Sequence, residues 1–323
     1  MRKKGLIIVG DLHLRDTAPV CRTDYWWGTM ERKLEFIADV VDKERLPVAF
    51  VGDLFDETYK NPLKPSYKLL KLFYDNTIYY ESDDYFTIIG NHDIPSHNME
   101  RFDETGLYFL HQMRDPFVLF DPHAISHGNN DYTVLSPFHW NDKLVPLCEY
   151  RGTVLSKSTN RTDVAVVHKL CWHREKPFPD APDDGDAIEI MKKLKGFELI
   201  VIGDSHQKFV VEGDGQLLIN PGSVLRLTAA QKDHKPAIFI WRGGKEYEEI
   251  SIPIDETAVS SAHLDAKKET MERVAKFVSD LRRSDDQCDL DFLGQLRRTL
   301  DHDPSITDGV RHVVHNSIEE ASR

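Results

Sequence analysis

Five short apolar runs recur along the chain, and a polar cluster directly follows each of them. The runs are residues 5–9, 48–51, 86–89, 164–167 and 199–202. Short runs rich in β-branched residues and bounded by glycine and polar residues are typical of buried strands. In open α/β sheets, ligands bind beyond the carboxyl ends of the strands. The pattern therefore predicts five strands whose ends deliver polar side chains to one common site.

Helical and strand patterns between and after these runs predict the rest of the architecture. Apolar residues at helical spacing in 34–41 and 67–73 indicate βαβ alternation, and a further helix is expected within 97–113. Shorter strand patterns at 117–120, 124–126 and 132–135 indicate a second sheet. The sequence Gly213-Asp214-Gly215 predicts a hairpin between 209–211 and 217–219, and two closing strands follow at 237–241 and 249–252.

The hydrophobic pattern changes from strand-like to helical after Pro253, so we expect two domains. Apolar residues recur at helical spacing in 271–281 and 293–300, and a third helix is expected to begin at Asp303-Pro304, where aspartate can cap a helix and proline suits its first turn. We predict an α/β domain over 1–254 and a helical C-terminal domain over 255–323. The helices either cover an edge of the first domain or dock a partner.

The polar clusters supply residue types that bind metal ions. They contain Asp11 and His13, then Asp53 and Asp56, then Asn91, His92 and Asp93, then His168, and finally Asp204 and His206. Residues i and i+2 of an extended segment point the same way, so Asp11 and His13 can hold one ion together. The two oxygens of Asp53 can bridge two ions. Nitrogen and oxygen ligands without a thiolate favour Mn, Fe or Zn over Ca or Mg alone.

A two-metal centre of this kind predicts phosphoester hydrolysis. Two ions roughly 3.5 to 4 Å apart can clamp a phosphate, acidify a bound water and stabilise the attacking and leaving oxygens. His92 follows Asn91 and should point toward the leaving group, so we assign it as general acid. Asp56 is preferred over Asp93 as the carboxylate that orients its imidazole. Each cluster alone is more often a turn, a helix cap or a packed histidine, and the combination of all five carries the prediction.

Composition narrows the class of protein. The formal charge of −13 argues against a protein that coats nucleic acid through a broad basic surface, although a local cleft or a basic partner could still attract it. The four cysteines are widely spaced, which is typical of free thiols in a reducing compartment. No stretch is long enough to span a bilayer, so we expect a cytoplasmic protein with no membrane contact.

The motifs Asp-x-His, Gly-Asp-x-x-Asp, Gly-Asn-His-Asp, a lone His and Gly-x-x-His resemble, as a set, those of the calcineurin-like metallophosphoesterases. The sequence at 10–14, 52–58 and 221–226 is most similar to the SbcD-type nuclease subunit of DNA double-strand-break repair. This resemblance implies a two-layer β-sandwich flanked by helices, two Mn ions, and DNA cleavage together with an SMC-like ATPase. A homodimer is a further assembly left open, and Fe, Zn or Mg are the alternative metals.

The resemblance also implies a ligand set and exposes one departure from it. Asp11, His13, Asp53 and His206 would hold one ion, and Asp53, Asn91, His168 and residue 204 the other. The family normally has histidine where this chain has Asp204. A third carboxylate makes the centre less positive, and we expect a harder metal such as Mn at the second position. The alternatives are a small-nucleotide phosphodiesterase or phosphatase, and a scaffold whose second site is lost.

Overall fold

The computed structural model describes residues 4–56, 65–77, 85–114, 117–150, 160–264, 268–276, 292–302 and 306–321. It divides into two compact units, Met1–Ser260 and Ser261–Arg323. The first unit continues past Pro253 because Val259 forms a β-bridge with Arg22 and the Ser260 amide donates to the Cys21 carbonyl, 2.8 Å away. Cys21, Cys148 and Cys171 are free thiols, and Cys288 lies outside the described residues.

The first unit contains two sheets and their covering helices. The strands are β1 Leu6–Val9, β2 Val48–Phe50, β3 Tyr85–Phe86, β4 His123–Gly128, β5 Asp131–Phe138, β6 Asn160–His168, β7 Leu199–Gly203, β8 Phe209–Gly213, β9 Gln216–Asn220, β10 Ala237–Gly243 and β11 Glu246–Ser251. The helices are α1 Trp26–Glu44, α2 Tyr67–Asn76, α3 Gly106–Met113 and α4 Ala187–Lys193. One sheet has the order β11-β10-β1-β2-β3, and the other β4-β5-β6-β7-β9-β8.

The alternation of side chains along each strand builds three apolar layers. Leu6 and Ile8 of β1 pack with Val164 and Val166 of β6 between the two sheets, whereas Ile7 packs on the helical side. That side is covered by α1, α2 and α3, and the far side of the second sheet is covered by α4. The result is a two-layer β-sandwich flanked by helices, which confirms the predicted fold class.

Parallel pairing places the functional strand ends at common edges. β1, β2 and β3 run parallel in the first sheet, and β5, β6, β7 and β9 run parallel in the second. His168, the last residue of β6, pairs with Gly203, the last residue of β7. The polar clusters that follow β6 and β7 therefore begin at the same level of the sheet.

Several local elements differ from the sequence-based expectation. Strand β3 covers only Tyr85–Phe86, and the segment expected as a strand at 117–120 contributes a single bridge from Val118 to Thr87. The expected helix within 97–113 is split into 3-10 turns followed by α3, because Thr105 caps α3 by accepting from the Tyr108 amide. The hairpin at 213–215 is confirmed: β8 and β9 pair across it.

The second unit is helical in its described part. Residues 268–276 are helical, and α5 Phe292–His302 and α6 Asp308–Ala321 follow. The predicted start of the third helix, at Asp303-Pro304, lies outside the described residues, and the described helix α6 begins at Asp308. Residues 57–58 of the second motif and residues 277–281 of the first C-terminal pattern also lie outside it. Among the described helices, none combines the length and apolar character needed to cross a membrane.

Candidate metal centre

The predicted ligands come from strand ends of both sheets. Asp11 follows β1, Asp53 follows β2, and Asn91 begins the 3-10 turn after the β3 segment. In the second sheet, His168 ends β6, while Asp204 and His206 follow β7. The structure brings these side chains together as two adjacent groups. Asp11, His13 and His206 offer ligand atoms within 4.8 Å of one another, and so do Asp53, His168 and Asp204.

Asp53 lies between the two groups. Its side chain is fully buried, with Oδ2 at 3.5 Å from His13 Nε2 and 3.4 Å from His168 Nε2. The other oxygen, Oδ1, accepts from the His92 amide at 2.8 Å. Within the described part of the chain, no donor reaches Oδ2 in hydrogen-bonding geometry. A buried carboxylate oxygen is costly without a partner, so this oxygen, facing an imidazole nitrogen of each group, fits a ligand shared by two cations.

The remaining ligand atoms converge on the same region. In the first group, His13 Nε2 lies 3.0 Å from His206 Nε2, which is itself 4.0 Å from Asp11 Oδ2. In the second group, the Asn91 amide oxygen lies 2.9 Å from His168 Nε2. His168 Nδ1 lies 2.6 Å from the Val51 carbonyl, which accepts a hydrogen bond from Nδ1–H, so Nε2 is the nitrogen directed at the cluster. All seven predicted ligands are therefore in one cluster.

The backbone at these strand ends is constrained. His13, Asp53 and Asp204 have φ values of 46°, 48° and 82°, in the left-handed region that non-glycine residues seldom adopt. Such conformations cost on the order of 1–3 kcal/mol each and occur often at functional sites. Gly90 permits the approach of the third strand end, because a Cβ there would lie 2.1 Å from Asp53 Oδ1.

The electrostatics suit cation binding. Burial raises the pKa of Asp11 well above its ordinary value and raises that of Asp204. Burial acts in the same direction on Asp53, but His168 and His13 outweigh it and hold its pKa below the ordinary value. Burial lowers the pKa of His13 to about 3 and lowers that of His206, so both imidazoles are neutral at neutral pH. Burial also acts to lower the pKa of His168, but the charge of Asp53 and its contact with Asp53 outweigh it, so this pKa is raised. Three crowded carboxylates among three imidazoles form a set of ligands that a cation would stabilise.

His92 forms a separate group with Asp56 and Arg15. Its Nδ1 lies 3.0 Å from Asp56 Oδ1, and Arg15 Nη1 donates to Asp56 Oδ2 at 2.9 Å. Burial lowers the pKa of His92, but the hydrogen bond to Asp56 and the charges of Asp53 and Asp56 outweigh it, so the pKa is raised. The His92 ring lies edge-on to the His13 ring, with centroids 4.7 Å apart. The imidazole is thus fixed beside the ligand cluster and remains partly exposed.

Asp93, the other predicted orienter of His92, makes different contacts. It accepts from the Phe55 amide at 3.1 Å and from the Gly90 amide at 2.9 Å. Burial raises its pKa to about 7. Asp93 therefore connects the second and third strand ends, and Asp56 is the carboxylate that contacts the imidazole. The sequence did not predict the role of Arg15, because the left-handed φ of 46° at His13 interrupts the alternation that relates Asp11 to His13.

The match to a known family covers this whole arrangement. The family model described as calcineurin-like phosphoesterase matches residues 6–208, which is more than half of the chain and includes every residue of the cluster. The chain belongs to the calcineurin-like phosphoesterases. As a member of this family it is a metal-dependent phosphoesterase, and the two groups around Asp53 are its candidate ligands for divalent ions. No curated protein matches the sequence.

Solved structures similar to this calcineurin-like phosphoesterase are distant in sequence. An archaeal phosphodiesterase is 15% identical, with 77% of this chain and 99% of that chain covered and a TM-score of 0.38. A putative 5'-nucleotidase from Staphylococcus aureus is 11% identical, with 82% and 58% covered and a TM-score of 0.46. A 5'-nucleotidase precursor from Thermus thermophilus is 13% identical, with 86% and 59% covered and a TM-score of 0.40.

Proposed function

We propose that the protein is a two-metal, Mn-dependent phosphodiesterase that cleaves DNA, an SbcD-like exo/endonuclease subunit acting in DNA repair or recombination. The proposal of two metal ions rests on the position of Asp53 Oδ2. This oxygen is buried between the two ligand groups and has no hydrogen-bond partner among the described residues. The resemblance of the motif set to SbcD-type subunits supports DNA as the substrate.

The ligand residues would divide between two ions. Asp11, His13 and His206 would hold the first, Asn91, His168 and Asp204 would hold the second, and Asp53 would be shared. Divalent ions bound here would polarise the phosphate and lower the pKa of a bound water. The Val51 carbonyl accepts a hydrogen bond from His168 Nδ1, so Nε2 would be the nitrogen that binds the second ion.

His92 supplies the proton for the leaving group. Arg15 fixes one oxygen of Asp56, and the other oxygen accepts from His92 Nδ1. This leaves Nε2 to donate its proton to the leaving oxygen as the P–O bond breaks, and the raised pKa of His92 favours the protonated imidazole that this step needs. Asp56 and Arg15 are positioning residues, because they act through His92.

A small-nucleotide phosphodiesterase or phosphatase is the second candidate, favoured by one feature of the site. A cleft of about 190 Å³ adjoins His168 and Asp204, and Trp140 and Lys169 contribute to its lining. Lys169 is paired with Asp184 at 3.0 Å, so little free positive charge is available there for a polymer. A narrow cleft with one indole suits a single nucleotide.

One set of assays distinguishes the two candidates. The chelated protein is reloaded with Mn and given labelled single- and double-stranded oligonucleotides, plasmid DNA, a cyclic nucleotide and an aryl phosphate. We expect Mn-dependent DNA cleavage that His92→Ala reduces by about 10²- to 10⁴-fold. His315→Ala, which changes a half-buried histidine of α6 that contacts Asp301, is the control. Turnover of the small substrates without DNA cleavage would favour the second candidate. Failure to bind metal would favour the non-enzymatic alternative, a scaffold whose second metal site is lost.

We also propose that the second unit docks an SMC-like ATPase, which would bring this acidic protein to DNA. Support comes from apolar side chains exposed on its helices, including Met271, Val274, Val310 and Val313. Exposed apolar residues on amphipathic helices are typical of helix-in-groove docking. In a binding assay with such an ATPase, Val310→Asp/Val313→Asp should abolish capture, whereas Arg298→Asp at an exposed position within α5 should retain it. Equal capture of both variants would contradict the docking surface.

A further inference from the structure

The two ligand groups that share Asp53 differ in their remaining donors. The first adds Asp11, His13 and His206, which give one carboxylate and two imidazoles. The second adds Asn91, His168 and Asp204, which give an amide oxygen, an imidazole and a carboxylate. With Asp53 included, the first position has two nitrogen donors and the second has one.

The backbone of Asp204 is fixed in a way that assigns its carboxylate to the second position. Its amide donates to Asp11 Oδ2 at 3.1 Å, and its φ of 82° turns the chain sharply after β7. A Cβ at the preceding Gly203 would lie 2.7 Å from Asp11 Oδ1, which shows how closely the two strand ends approach. The Asp204 side chain is grouped with Asp53 and His168, and Asp11 is grouped with His13 and His206.

The different donor atoms give the two positions different metal preferences. Imidazole nitrogen suits Zn and Fe, whereas carboxylate and carbonyl oxygen suit Mg and Mn. Zn binds more tightly than Mn to most sites with nitrogen and oxygen ligands, so the useful quantity is the Zn-over-Mn preference at each position. That preference should fall as oxygen replaces nitrogen among the donors.

We propose that the two positions are chemically unequal, so that the histidine-rich position takes an ion such as Zn or Fe while the oxygen-rich position, completed by Asp204, retains Mn or Mg. This inference rests on the proposed two-metal function. It predicts a mixed pair of ions whenever Zn is limiting and Mn is in excess, with the oxygen-preferring ion beside Asp204.

The test is displacement of bound Mn by Zn, measured as metal content rather than as activity. The full-length protein is stripped with chelator, loaded with Mn, and titrated with Zn in a metal buffer; bound Zn and Mn are then quantified after rapid desalting. We expect two phases for the wild type, because the first Mn leaves at low free Zn and the second only at much higher free Zn. Anomalous diffraction of crystals at the midpoint should place Mn beside Asp204.

Asp204→His is the decisive variant. It replaces an oxygen donor with an imidazole, so both Mn ions should leave at similar free Zn and the second phase should disappear. Asp184→His is the matched control, since it places a histidine at an exposed carboxylate of the same cleft that pairs with Lys169. Its titration should keep two phases. Circular dichroism checks that each variant is folded, and Asp204→Asn, which keeps an oxygen donor, should also keep two phases.

The outcomes separate this inference from the function on which it rests. A wild-type protein that binds two ions but loses both Mn in a single phase overturns the inference and leaves a two-metal phosphodiesterase intact. An Asp204→His titration identical to the wild type, or Mn located beside His206, overturns it equally. A protein that binds fewer than two ions contradicts the proposed function together with the inference.

Discussion

Asp53 determines at the residue scale how the two ligand groups meet. Its carboxylate is the only part of the cluster that faces an imidazole of each group within 3.5 Å among the described residues. Its pKa is lowered by His168 and His13 although burial opposes this, so the carboxylate is ionised at neutral pH. A residue that is charged, buried and shared should affect both ions at once.

Replacement of Asp53 should therefore remove more than one ligand contact. We expect Asp53→Asn to lower bound Mn from two ions to less than one per chain, since the amide presents one neutral oxygen where two charged ones stood. Metal analysis after dialysis measures this. Asp142→Asn, which changes a carboxylate that accepts from the His139 amide in the same cleft, is the control. Retention of two ions by Asp53→Asn would contradict the bridging assignment.

Substitution of Gly90 provides a second test of the role of Asp53. A methyl group there would lie 2.1 Å from Asp53 Oδ1 and 2.5 Å from the Asp53 amide, so Gly90→Ala should displace the shared carboxylate and reduce both metal content and turnover. Gly215→Ala is the matched control, because Gly215 has a φ of 80° in the β8–β9 turn and no atom within 4 Å of the added methyl. The control should lose about 1 kcal/mol of stability without losing metal.

Helix α1 carries a buried lysine whose titration affects stability at the scale of an element. Lys33 is 8% exposed, and its Nζ donates to the Pro253 carbonyl at 2.5 Å. Burial lowers the pKa of Lys33 to about 7, and Arg226, Arg22 and Arg32 act in the same direction. The amine is thus harder to protonate in the folded protein than in the unfolded chain.

The sign of the pH dependence follows from this lowered pKa. Between about pH 7 and pH 10 the unfolded chain binds the Lys33 proton and the folded protein does not, so folding stability gains from this group as pH rises. Lys33→Met should flatten the rise in the free energy of unfolding over that window, by an amount on the order of a few kcal/mol. Urea unfolding at several pH values measures it. Lys43→Met, on the exposed side of the same helix, should leave the slope unchanged.

The sequence predicts those elements whose signal is local. Apolar alternation identifies the strands of both sheets, and the ligand residues follow because parallel strand ends meet at one edge. Boundaries near 86–89 and 97–113 were wrong in detail, because Thr105 capping and the single Thr87–Val118 bridge depend on tertiary contacts. Arg15 was missed for the same reason, since its importance comes from contact with Asp56, which is 41 positions away in sequence.

The metal centre joins the two sheets at the scale of the whole molecule. Asp11, His13 and Asp53 extend from the first sheet, and His168 and Asp204 extend from the second. Without cations, burial raises the pKa values of Asp11 and Asp204, and the charge of Asp53 adds to this effect, so both carboxyl groups resist ionisation. Bound ions should therefore stabilise the first unit as a whole, by about 2.7 kcal/mol when free metal is about 100 times its dissociation constant.

The distribution of tryptophan makes this stabilisation measurable in the first unit alone. All five tryptophans, Trp26, Trp27, Trp140, Trp172 and Trp241, belong to it, so their fluorescence reports its unfolding, whereas far-ultraviolet circular dichroism also reports the helices of the second unit. We expect Mn to raise the fluorescence-detected Tm of the chelated protein, and Asp53→Asn to abolish most of that increase. A circular-dichroism transition whose midpoint does not change with Mn would be assigned to unfolding of the second unit. An equal increase in the Asp53→Asn variant would contradict the assignment of Asp53 as the ligand shared by both groups.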